Sequence, residues 1–107
     1  MGVLVASMRL QYLTNLKCDL EYKIQLITQA KMGLMSSNDD LMQVGTDYDS
    51  ESPIVKTLQQ RQAKMKLLEQ RLDQQMQQYQ TQLRMVMTEY ESARGMLDRD
   101  IQSTFRY

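Results

Sequence analysis

The chain has 107 residues, with 13 basic and 13 acidic side chains, one Cys, one Pro, no His and no Trp. Without His, and with Cys18 alone, the chain offers no histidine acid–base or nucleophilic site, no zinc cluster and no intrachain disulfide, so no enzyme, metal or cofactor is expected. Balanced charge without a basic patch excludes nucleic acid as an expected partner, and a single proline favours helices over a sheet, which needs frequent turns. The length fits one domain.

At the start, Met1–Ser7 is apolar, but Arg9 follows too soon for a signal-peptide core or a bilayer span. Neither membrane insertion nor the general secretory route is expected. A first helix is predicted over about residues 3–42, on the spacing of Val5, Met8, Tyr12, Leu16, Leu20, Ile24, Ile27 and Leu34. Leu13, Leu26 and Met35 widen this stripe. Asp19 and Lys23 form a favourable i,i+4 pair, and Cys18 reads as a small, partly buried helix residue.

The next segment is acidic. Asp39, Asp40, Asp47, Asp49 and Glu51 occur without a basic residue, among Ser, Thr, Asn and Gly45, which marks a connector over about residues 43–52. Leu41, Met42 and Val44 can extend the first helix by a turn or two. Asp47, Asp49 and Glu51 have the spacing of the first calcium ligands of an EF-hand, but Ser52 replaces the sixth-position Gly and Leu58 the twelfth-position Glu. An exposed acidic tip is the better reading. Ser52 is placed to cap a second helix that begins at Pro53, the favoured position for proline.

The second helix is predicted over about residues 53–105. Its stripe is Leu58, Met65, Leu68, Leu72, Met76, Tyr79, Leu83, Val86, Tyr90, Ala93, Leu97, Ile101 and Phe105, with the step from Met65 to Met76 departing from strict sevens. Through the Gln-rich stretch 74–82 the apolar spacing holds, leaving Gln to a polar face. A short connector between long helices makes them antiparallel. The expected fold is therefore all-α: two long antiparallel helices forming a coiled-coil helical hairpin, the second the longer. Its seam is expected to set Leu16, Leu20, Ile24 and Ile27 against Leu68, Leu72, Met76, Tyr79, Leu83, Val86, Tyr90 and Leu97.

Two helices share one interface and no central core, while ordering the backbone costs roughly 1–2 kcal/mol per residue. Apolar residues outside the seam therefore call for partners. Met32, Met85, Met87, Ile101 and Phe105 are expected between subunits, where adaptable Met side chains fill irregular gaps. Partners are expected to be copies of the chain itself, or another helical protein.

The turn Ser50-Glu51-Ser52-Pro53 and the terminal Asp100-Ile101-Gln102 with Phe105-Arg106 resemble the needle subunits of type III secretion systems. The resemblance covers the turn and the last residues. The second helix is longer here, and the aromatic-rich N-terminal segment of that family is absent. The resemblance implies a hairpin subunit, exported without a classical signal peptide, that polymerises into a hollow helical filament. The other expectation is a cytoplasmic coiled-coil adaptor or chaperone that holds a partner helix in its apolar groove.

Overall fold

In the computed structural model, which describes residues 2–46, 48 and 52–105, the chain forms two α-helices, α1 over Val3–Thr46 and α2 over Pro53–Phe105. They pack against each other as an antiparallel helical hairpin whose second helix is the longer, with no strand among the described residues. Asp47, Asp49, Ser50, Glu51, Arg106 and Tyr107, which carry much of the acidic turn and part of the terminal motif, lie outside the described residues.

α1 continues to Thr46, beyond its expected end near residue 42. Composition marks residues 43–46 as connector, yet packing holds them helical. Leu41 is half-buried, and at Gly45 an added Cβ would meet Leu58 Cδ1 at 3.8 Å, an ordinary van der Waals contact, so the facing helix is close at this point. α2 starts on a cap. Ser52 Oγ accepts the Ile54 N–H at 3.3 Å, and the Ser52 carbonyl accepts the N–H groups of Val55 (3.1 Å) and Lys56 (3.3 Å). These bonds satisfy donors that have no partner within the helix, and Pro53 has no N–H to satisfy.

Burial follows a seven-residue repeat on each helix, broken at one place on α2. On α1 the inner rows are Ala6, Leu13, Leu20, Ile27, Leu34 and Leu41, alternating with Leu10, Lys17, Ile24, Lys31, Asn38 and Gly45. On α2 they are Leu58, Met65, Leu72, Tyr79, Val86, Ala93 and Asp100, alternating with Val55, Gln62, Met76, Leu83, Tyr90 and Leu97. Glu69 takes the remaining place of that second row and is exposed. Steps of three and four in strict alternation are the pattern of knobs-into-holes packing.

This corrects three expectations. Leu68, expected in the seam, is 47% exposed, because the register passes through Glu69 instead. With Glu69 in place, the irregular step between Met65 and Met76 becomes two regular sevens in the two rows. Near the start of α1, Val5, Met8 and Tyr12 are exposed, and Ala6, Leu10 and Leu13 face inward one position away. Large apolar residues drew the predicted stripe, whereas helix proximity selects the row that holds the small Ala6.

Contacts divide the chain into two compact units, one of Met1–Ile24 with Gln78–Tyr107 and one of Gln25–Gln77. In the first, Leu13, Leu20, Val86 and Ala93 form a buried cluster, with Leu10, Leu16, Tyr79, Leu83 and Tyr90 packed around it. Each fully buried Leu or Val stabilises by about 1.5–3 kcal/mol, so this cluster carries the apolar stabilisation of its unit. Its helices run antiparallel, with Lys17 over the Tyr90 ring and Lys23 over the Tyr79 ring. The second unit buries Ile27 and Leu58, and polar Lys31, Asn38 and Gln62 interrupt its inner rows. Lys31 there forms an ion pair with Asp73 of the facing helix.

Candidate functional site

The seam leaves a large apolar surface uncovered. Of the residues expected in it, Leu20, Ile27 and Val86 are buried, Leu16, Ile24, Leu72, Met76, Tyr79, Leu83, Tyr90 and Leu97 are half-buried, and Leu68 is exposed. The first unit brings Leu16 and Leu20 together with Tyr79, Leu83, Val86 and Tyr90. Leu10, Leu13 and Ala6 complete the inner rows, and the signal that finds them is the phase of the repeat rather than residue size. The five residues expected between subunits, Met32, Met85, Met87, Ile101 and Phe105, are all exposed.

Within the first unit, the densest apolar patch is the start of α1. Leu4 (74% exposed) and Val5, then Met8 and Tyr12, occupy three successive turns, with Met8 four residues after Leu4 and Tyr12 four after Met8. That spacing places them on one face, and since Ala6, Leu10 and Leu13 fill the inner rows, Leu4, Met8 and Tyr12 point away from α2 while Val5 stands at the edge of the face nearest it. A buried Leu in the inner row and an exposed Tyr beside it, at Leu13 and Tyr12, locate the boundary between seam and open face. Cys18, expected to be partly buried, is exposed as well.

A groove also opens in the same unit. Val5, Ala6, Arg9, Ala93, Met96, Arg99 and Asp100 line a space of about 200 Å³. Its origin is local: Ala6 and Ala93 put two methyl groups where the neighbouring layers put Leu, Val and Tyr, and the seam is left unfilled between them. In the second unit, Leu34, Met35, Asn38, Met42, Gln62, Met65, Lys66 and Glu69 line a groove of about 340 Å³. The Asn38, Gln62 and Glu69 places of the inner rows hold polar residues there, which leaves the methionines to form the apolar wall.

The polar groups of α1 form ion pairs one helical turn apart. Lys23 Nζ donates to Asp19 Oδ2 at 3.0 Å; that bond and the Asp19 charge hold Lys23 above the ordinary lysine value of 10.5. Lys17 lies 3.8 Å from Glu21. No group of three or more potential metal ligands occurs among the described residues, and no helix there is long and apolar enough to cross a membrane. No protein-family model, curated protein or solved structure matches the chain.

Proposed function

We propose that this chain is a structural subunit that assembles with copies of itself, polymerising into a helical filament or tube of the needle kind. The observation that carries the reading is the apolar row Leu4, Val5, Met8 and Tyr12, each of which is exposed among the described residues. Equal numbers of acidic and basic side chains let many copies approach without strong repulsion. The terminal Asp100-Ile101-Gln102 with Phe105, where Ile101 and Phe105 are exposed, favours the needle-like form. Such a subunit would leave the cell by a dedicated export route.

A second reading, a coiled-coil adaptor or chaperone acting in the cytoplasm, is favoured by the methionine-walled groove of the second unit. Flexible Met side chains adapt to more than one apolar partner.

Negative-stain microscopy with light scattering separates the two. A filament subunit gives open-ended polymers, which disappear when residues 101–107 are removed while helicity is retained. A closed oligomer of fixed small number, or a stable monomer, supports the adaptor.

A further inference from the structure

The groove at Ala6 and Ala93 matches the Phe105 ring in size and polarity, yet the ring stands exposed outside the groove of its own chain. Among the large apolar residues described, Phe105 is the most exposed, at 83%, and it is the sole Phe of the sequence. It shares a helix face with Ile101 and Asp98, at steps of four and three, so one row presents a ring, an aliphatic group and a carboxylate. The groove offers what such a row needs. Its floor is Ala6 and Ala93, its walls include Val5 and Met96, and Arg9 and Arg99 bring two guanidinium groups against the single carboxylate of Asp100. Neither arginine, nor Asp98, has an ion-pair partner among the described residues.

Size agrees as well. An apolar cavity of about 150 Å³ takes a benzene ring, and this groove holds about 200 Å³. A guanidinium beside an aromatic face adds a favourable cation–π contact that an alkyl side chain would not gain. Within its own chain, Phe105 lies five residues beyond Asp100, the last groove residue on α2, roughly 7.5 Å along the axis and on another face of the helix, and at 83% exposure its ring does not fill that groove.

We infer that the Phe105 ring of one copy seats in the Ala6–Ala93 groove of the next, with Ile101 beside it and Asp98 facing the arginines. This joint rests on the self-assembly proposed above and specifies its chemistry. Donor row and acceptor groove are different surfaces, so the contact is head-to-tail, and each added copy leaves one donor and one acceptor free. Repetition then gives an open chain of copies rather than a closed pair.

The test uses two variants at exposed positions, which leave the buried seam intact. Phe105→Ala removes the knob, and Val5→Asp places a charge on the groove wall, in the first helical turn where an acid is tolerated. Sedimentation velocity on the full chain, with circular dichroism for helicity, reads the outcome. Each variant should raise the concentration needed for assembly about thirtyfold at unchanged helicity, the usual scale for loss of an interface anchor. Mixed in equal amounts, they should form a one-to-one dimer that grows no further, because F105A keeps a working groove and V5D keeps a working knob. Wild-type assembly left unchanged by both variants overturns the joint while preserving self-assembly. An effect of V5D without one of F105A also overturns it, by assigning the groove to a different segment. A monomeric wild type removes the joint and the proposed function together.

Discussion

The Lys17 ammonium lies 5.6 Å from the centroid of the Tyr90 ring on the facing helix, and both residues occupy inner-row positions of the repeat. A cation in such a row lowers stability but restricts the registers the helices can adopt, because only some neighbours accommodate it. Tyr90 supplies the ring face and Glu21, 3.8 Å away, supplies the opposite charge. Replacing Lys17 with Leu should therefore raise the free energy of unfolding by about 1 kcal/mol and broaden the distribution of oligomers. Urea denaturation with native mass spectrometry checks both; a destabilised K17L with a single oligomeric state would contradict the role given to Lys17.

The phase of the repeat separates positions that hydrophobicity alone treats alike. Leu13 is 2% exposed, whereas Leu68 is 47% exposed and Tyr12 stands on the open face. Leu13→Ala should destabilise by about 2–5 kcal/mol, and Leu68→Ala by less than about 1 kcal/mol. Tyr12→Ala should leave unfolding nearly unchanged and weaken assembly. Equal thermal shifts for L13A and L68A would place the seam on the wrong row.

That contrast also marks how far the sequence could be read. The two helices and the cap at Ser52 are legible, since proline placement and three-to-four spacing each have a local cause. The inner row of α1 near its start is not, because Val5, Met8 and Tyr12 keep helical spacing as well as Ala6, Leu10 and Leu13 do. Only contact with α2 chooses between rows one position apart. The same holds at Glu69, where a charged residue keeps the register and the apolar Leu68 beside it misleads. The groove is legible only in retrospect, as the coincidence of two alanines, Ala6 and Ala93, brought together by the hairpin. Residues 43–46 read as connector from composition and are helical because Leu41 and Gly45 continue the inner rows.

Gly33 and Gly95 lie inside helices with nothing within 4 Å of an added Cβ and without positive φ. Neither conformation nor packing within the chain requires glycine at these places. Gly33→Ala and Gly95→Ala should each stabilise by about 0.5–1 kcal/mol, by reducing the freedom of the unfolded chain and favouring helix. Thermal denaturation at a concentration too low for assembly reads the effect. A fall in stability for either variant would mean that its helix carries a contact absent from this account.

Lys23 gives a pH signature. Its hydrogen bond to Asp19, then the Asp19 charge and the Tyr79 phenol, raise it above 10.5, the value of a lysine in an unfolded chain. A group raised by folding contributes stability that is present in full below its unfolded value and is lost as pH climbs through its folded one. Lys23→Gln should therefore lower the melting temperature slightly at neutral pH, with the gap to wild type closing as pH rises above 10.5. A gap that is constant across that range would detach Lys23 from the effect.

The central claim is that the open apolar surface, with Leu4, Val5, Met8 and Tyr12 at its densest point, is there to be covered by copies of the same chain. Sedimentation velocity of the wild-type protein from low to high micromolar concentration tests it most directly. Mass that rises continuously with concentration, without a plateau at any small number of copies, is the predicted result. A sharp boundary at the mass of one chain over the whole range would contradict it.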